Sequence, residues 1–141
     1  MADPRATTTV VGIGYEAETY PHDNTIVYSA TTAGGSAQVG LAVTIEASNA
    51  VSLVGDGENV LGKLIKVESD GLCVVQTGGH MTLPGGDGAT LTAGLKIVGD
   101  LGAANAEGYI QAVSTQDTVS RGMIIDSSTS TAVVVRMERA A

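Results

Sequence analysis

Lys63-Leu64-Ile65-Lys66-Val67-Glu68, then Ser69-Asp70-Gly71, then Leu72-Cys73-Val74-Val75-Gln76 read as two short strands around a tight turn. Asp-Gly supplies the positive φ angles that a two-residue hairpin turn requires, and β-branched runs flank it on both sides. The same order of a short apolar run, then Gly and Asp, then another run recurs along most of the chain. No stretch of comparable strength has a helical period. A chain written this way is confined to folds of many short strands joined by tight turns.

From Val39 onward the alternation is regular. Leu41, Val43 and Ile45 alternate with Ala42, Thr44 and Glu46, which predicts a strand with one apolar face. Strands are expected near 41–47, 60–68, 71–77, 95–98, 108–113, 121–126 and 131–138, with shorter ones at 51–54 and 80–83. Gly55–Asn59 reads as a turn, Pro84–Gly88 as a stop, Gly99-Asp100 as the end of the 95–98 strand, and 114–120 as a loop. Strands at a spacing of about 8–12 residues argue for a small barrel or sandwich. The 141 residues are enough for one domain with one core, and no internal repeat is visible. The chain has no Phe and no Trp, so Val, Ile, Leu, Met and Ala must build that core, and 19 glycines suit a fold rich in turns.

Residues 1–38 differ from the rest. They are rich in Thr, Ala, Ser and Gly, and they hold Tyr15, Tyr20 and Tyr28. Val10–Ile13 and Thr25–Tyr28 have strand character, interrupted by Gly12, Gly14, Pro21 and Gly34-Gly35. The segment reads as an extended N-terminal arm ahead of a β-domain at 39–141. Two readings stay open: the arm is completed by contact with another molecule, or it packs back on its own domain.

The formal net charge is −8 and the pI about 4.4. The seven cations, Arg5, Lys63, Lys66, Lys96, Arg121, Arg136 and Arg139, are scattered along the sequence. That argues against nucleic acid as a partner, because phosphate binding needs a basic patch. No run reaches the roughly 20 apolar residues that span a bilayer, so no membrane partner is expected. The N-terminal residues lack the apolar core of a signal peptide. Cys73 is the single cysteine, which excludes an internal disulfide and fits folding in a reducing compartment.

Candidate chemistry is sparse. A Cys–His hydrolase would have to use Cys73 with His22 or His80, but a lone Cys in a Val-rich strand usually behaves as a small hydrophobe. No Gly-x-Ser-x-Gly elbow occurs. Zinc would need more His and Cys than the chain contains. Gly85-Gly86-Asp87-Gly88 and Gly55-Asp56-Gly57 invite a calcium reading, but turn chemistry accounts for both without a metal. Gly12-Ile13-Gly14 is only a fragment of a phosphate loop, without a third glycine. No Asn-x-Ser/Thr glycosylation site occurs. The expectation is no catalytic residue, no metal and no cofactor.

One family shares several of these blocks in the same order. Gly40–Thr44, the acidic turn Gly55–Asn59, Val60–Ile65, Asp70–Gly79, Leu91–Val98 and Arg121–Ile125 resemble the head decoration, or capsid cement, proteins of tailed bacteriophages. The resemblance spans about residues 39–137 and rests on glycine-and-valine strand patterns. It implies an all-β, small barrel or sandwich of β-tulip type with an N-terminal arm. It also implies a homotrimer on the outer face of a phage head that contacts the major capsid protein and stabilises the shell. The expected location is the virion exterior, after folding in the host cytoplasm.

No family residue is catalytic. Contacts are proposed from this chain's own chemistry: Tyr15, Tyr20 and Tyr28 as arm anchors, and Val134 on the outer face of the last strand beside Arg136 and Glu138. The competing readings are a β-sandwich that binds a ligand or glycan, another virion β-protein such as a tail or spike component, and a small hydrolase. The lack of Trp and Phe weakens the glycan reading, and the lack of a motif weakens the hydrolase.

Overall fold

The computed structural model describes residues 14–46, 49–113 and 120–138. Within them the chain is all-β. The strands are β1 (Glu16–Pro21), β2 (Ala42–Ile45), β3 (Val51–Leu53), β4 (Gly62–Val67), β5 (Leu72–Leu83), β6 (Lys96–Asp100), β7 (Tyr109–Val113), β8 (Gly122–Asp126) and β9 (Val133–Met137). Their spatial order is β3-β2-β4-β5-β9-β8-β6-β7, with β1 lying beside β5. The pairs between these strands are antiparallel, and the sheet curls into an open half-barrel. None of the described helices is long and apolar enough to cross a membrane.

The β4–β5 hairpin forms where the Asp-Gly signal places it, but its loop is one residue longer than expected. Glu68 N donates to Leu72 O at 2.8 Å, so Ser69, Asp70 and Gly71 all lie in the loop. Gly71 has φ of 86°, while Asp70 is not among the residues with positive φ. A two-residue type I′ turn needs positive φ at both central residues. One left-handed residue closing the loop is instead the mark of a three-residue turn with a glycine bulge. Asp70 Oδ1 accepts from Leu72 N at 3.2 Å and helps to hold this form.

β5 organises the sheet. The strands expected at 71–77 and 80–83 are one continuous strand of 12 residues. Gly78-Gly79 reads as a break, but Gly79 at φ of 90° turns a corner inside the strand. Before the corner, Leu72–Gly78 pairs with β1 on one edge and β4 on the other. After it, Gly79–Leu83 pairs with β9. Two apolar clusters result. Cys73 and Val75 join Ile26, Val43, Val51, Leu53, Leu64 and Val67. Met81 and Leu83 join Ile97, Ile110, Ile124, Val133, Val135 and Met137.

β2 shows the consequence. Its sequence alternation predicts one apolar face, but Ala42 and Val43 are both fully buried, one in each cluster, and Ile45 is 42% exposed. A strand lying between two cores buries both faces. Gly99 lies inside β6, and Asp100 is its last residue. A side chain on Gly99 would place Cβ 2.2 Å from the Gly55 carbonyl, so this glycine serves close packing instead of a turn.

The segment 14–38 packs on the domain. β1 pairs with β5 from Glu16↔Gly78 to Pro21↔Leu72, and Ile26 is buried in the second cluster. Glu16-Ala17-Glu18 is poor strand sequence, so β1 exists because an edge of β5 is there to pair with. Thr25–Tyr28, expected as a strand, is instead a turn followed by irregular chain. Asp23 Oδ1 accepts from Thr25 N and Oγ1, and the Gln38 side chain takes the place of a strand partner. Gln38 Nε2 donates to Thr25 O at 2.5 Å and Gln38 Oε1 accepts from Val27 N at 2.8 Å. The expected strand at Val10–Ile13 and the loop at 114–119 lie outside the described residues.

Candidate interaction surface

β9 has a strict burial alternation. Val133, Val135 and Met137 are buried, while Val134 is half-buried and Arg136 and Glu138 are exposed on the other side. β8 alternates in the same way as far as Ile124, which is in the core; Met123 and Ile125 are 44% and 39% exposed, and after a bulge Asp126 pairs with Val134 on the outward face. Directly paired residues of an antiparallel sheet share a face. His80 on β5 pairs with Arg136 on β9, Arg136 with Met123 on β8, and Met123 with Lys96 on β6. One outward row therefore crosses four strands. Beside it, Val134 pairs with Thr82, whose Oγ1 accepts from Lys63 Nζ at 2.9 Å. Partial burial pushes the Lys63 ammonium below its ordinary pKa.

The cations that look scattered in sequence are gathered by this sheet. Of the described cations, Lys66 makes an exposed ion pair with Glu68 at 3.7 Å. The other four, Lys63, Lys96, Arg121 and Arg136, lie on or at the rim of the β5–β9–β8–β6 face. Lys96, Arg121 and Arg136 line one shallow depression of about 280 Å³ with Met123 and Glu138. Sequence reasoning missed Met123, Ile125, Lys96 and Arg136 as a group. The alternation of Gly122–Ile124 could have placed Met123 opposite Ile124, but only strand pairing brings the two cations beside Met123.

Arg121 holds the sheet together. Its guanidinium donates to Leu61 O at 2.5 Å, Glu138 O at 2.8 Å and Thr77 O at 3.4 Å. These carbonyls belong to the entrance of β4, the corner of β5 and the end of β9. A planar fork of donors suits three acceptors from three segments.

The expected contact residues do not converge. Tyr15 is 52% exposed just before β1, and Tyr28 is 42% exposed beside the 66–70 turn. Tyr20 packs against the second core cluster. Its hydroxyl donates to the Glu18 carboxylate, and chiefly through that bond its pKa is pushed up to about 12. Val134 lies beside Thr82, near the opposite end of β5 from the Asp70 turn, roughly 30 Å along the strand.

Cys73 is fully buried among Val and Leu, and burial pushes its thiol up to about 11. His80 lies seven residues further along the same strand, on the order of 20 Å away. His22 Nδ1 lies 2.8 Å from Asp23 O, and its buried Nε2 has no hydrogen-bond partner. In the two turns considered for calcium, several groups make internal hydrogen bonds. Glu58 Oε2 accepts from Gly55 N at 2.8 Å, and Asp87 N donates to Leu101 O at 3.0 Å. Among the described residues no three His, Cys, Asp or Glu side chains group as metal ligands. A concavity of about 570 Å³ opens widely between β2, the 57–61 turn and Arg121.

Comparisons of the chain with family models, with characterised proteins and with solved structures return no match.

Proposed function

We propose that this chain is a structural virion protein, a decoration subunit that binds the outer surface of a tailed-phage head as a homotrimer. Its partners are the major capsid protein and further copies of itself, and its role is to stabilise the shell rather than to catalyse a reaction. The resemblance of residues 39–137 to head decoration proteins motivates the reading. One observation supports it best: a sheet face keeps apolar groups in water. Cys73 is core and Arg121 binds three carbonyls, whereas Met123 and Ile125 stand exposed, Met123 between Lys96 and Arg136. A protein whose product is a surface needs such a face, and contiguous exposed apolar area marks interaction sites.

The test is co-sedimentation of the purified protein with undecorated, expanded heads of the parent phage, followed by a particle map. Saturable binding at a fixed number of copies per head, with added resistance of the heads to heat, is the expected result. Absence of the protein from mature particles, together with no binding to expanded heads, would refute the proposal.

A further inference from the structure

The chain contains three Asp-Gly pairs, at 56–57, 70–71 and 87–88. Aspartate before glycine is prone to react with its own backbone, because glycine has no side chain to keep its amide nitrogen from the aspartyl carboxyl. Two of the pairs form a comparison within one molecule. Gly55-Asp56-Gly57-Glu58 and Gly86-Asp87-Gly88-Ala89 are each closed by a bond from the fourth amide to the first carbonyl, at 3.2 Å in both. Gly57 and Gly88 have φ of 77° and 67°, and neither aspartate has positive φ, as in type II turns. Both pairs are exposed. Their hydrogen bonds differ. Gly57 N donates to Gly99 O at 2.9 Å, and Asp56 Oδ1 accepts from Gln111 Nε2 at 3.0 Å. Gln111 Nε2 also donates to Gly99 O at 3.2 Å, so nitrogen and carboxylate are both tied to the β6–β7 pair. Gly88 N and the Asp87 carboxylate have no hydrogen-bond partner among the described residues. Asp70 Oδ1 accepts from Leu72 N at 3.2 Å, which places the third pair between these two.

We infer that Asp87-Gly88 is a site of spontaneous backbone modification, succinimide formation followed by isoaspartate, and that the hydrogen bonds of Asp56-Gly57 protect the matching turn. In the first step Gly88 N attacks Cγ of the protonated Asp87 carboxyl. An N–Cγ bond forms and the Cγ–OH bond breaks. The hydroxyl and the amide hydrogen leave together as one water. In the second step one water adds back. Addition at Cγ restores aspartate. Addition at the Asp87 main-chain carbonyl carbon breaks its bond to Gly88 N, and the chain then runs through Cβ and Cγ. Nothing is oxidised or reduced, and the mass returns to its starting value. At Asp56-Gly57 the nitrogen must leave Gly99 O and the carboxyl must leave Gln111 before the two can meet. Two such bonds slow the reaction roughly tenfold or more.

The position of the turn gives the change a structural effect. β7 ends the strand order, and residues 84–90 cover its outer edge. Ile110 N donates to Pro84 O at 3.0 Å, Gly86 N to Ile110 O at 2.9 Å and Ala112 N to Thr90 O at 2.9 Å. Asp87 and Gly88 lie between the second and third of these bonds. Isoaspartate lengthens the chain there by one backbone carbon, so Gly86 and Thr90 no longer keep their spacing along β7. The Thr90 end of the strap loosens. An edge strand without cover is a template for pairing with other chains.

The experiment ages the full chain in neutral buffer at physiological temperature and maps isoaspartate by peptide mass spectrometry with enzymatic isoaspartyl methylation. In the folded protein, isoaspartate at Asp87 should form roughly tenfold or more faster than at Asp56, with Asp70 between them. In protein unfolded by urea, Asp56 and Asp87 should react at equal rates. Gln111→Ala should speed the reaction at Asp56 and leave Asp87 as it was. Asp87→Glu should abolish modification at 87, because glutamate would have to close a larger ring. The Ala112 amide should exchange hydrogen faster in aged than in fresh protein, but not in aged Asp87→Glu. Equal rates at Asp56 and Asp87 in the folded protein, or a ratio that unfolding leaves unchanged, would overturn the assignment. An Asp56 rate that ignores Gln111→Ala would overturn the protection by hydrogen bonds. Isoaspartate at 87 with unchanged exchange at Ala112 would overturn its effect on β7. Far-UV circular dichroism checks the fold of each variant. If one is unfolded, the unaltered protein, folded against unfolded and fresh against aged, decides alone.

Discussion

Arg121 is the side chain whose loss should most clearly reveal how the two halves of the sheet are joined. Arg121→Met keeps most of the aliphatic stem and removes all the donors, so cavity formation contributes little. Three hydrogen bonds are lost. A bond from a charged donor contributes about 1.5–3 kcal/mol, but the three are unequal. The bond to Leu61 O is short and part-buried, the one to Thr77 O is long, and the one to Glu138 O is exposed enough for water to replace it. Taking about 2 kcal/mol for the first and about 1 kcal/mol for the other two together gives a loss of about 3 kcal/mol. For a domain of this size that lowers Tm by roughly 6–12 °C. Arg121→Lys should recover less than half, since an ammonium cannot span three carbonyls from three segments. Equilibrium denaturation at fixed protein concentration measures the difference. Because the acceptors are carbonyl dipoles rather than carboxylates, the loss should persist at high salt. A variant within about 0.5 kcal/mol of the unaltered protein, a size typical of surface substitutions, would refute the idea that Arg121 holds the sheet. A deficit that disappeared in high salt would show an ionic interaction instead.

Gly79→Val should destabilise by roughly 1–3 kcal/mol, because a β-branched residue is strained at φ of 90° within a strand; an unchanged denaturation midpoint would remove the corner assigned to β5. Gly71→Val should cost a similar amount through conformation alone, since nothing lies within 4 Å of the added Cβ. Gly71→Asn should be milder in the same assay, because Asn tolerates the left-handed region. Cys73 should resist thiol reagents at neutral pH and react only on unfolding, because it is fully buried and its thiol is pushed up to about 11; rapid labelling of the native protein would contradict its placement. Tyr20 has a folded pKa raised from 10.0 to about 12. Its neutral form is thus favoured by folding, and the stability this contributes is complete below about pH 10 and lost as pH rises through 12. Tyr20→Phe should flatten alkaline unfolding in that window, and an identical profile would show that the Tyr20–Glu18 bond has no such effect.

Where local chemistry dominates, the sequence was a sufficient guide. β-branched runs between glycine and aspartate turns determine an all-β chain, and Asp70-Gly71 determines the hairpin of β4 and β5, because both signals act within a few residues. The alternation of Val133–Met137 likewise determines which side of β9 is core, since side chains in a strand have a period of two. What tertiary structure decided has longer range. Whether Gly78-Gly79 ends a strand or bends one depends on whether partners exist beyond it, and β9 supplies them. Ala42 is buried as deeply as Val43 because a second core lies across β2, a fact no local pattern contains. Glu16–Pro21 becomes a strand against its own propensity because the edge of β5 has hydrogen bonds to satisfy. Lys96 and Arg136 lie 40 residues apart in the sequence. Only the pairing of β6 with β8 and of β8 with β9 brings them to either side of Met123, because register rather than composition determines which side chains share a surface.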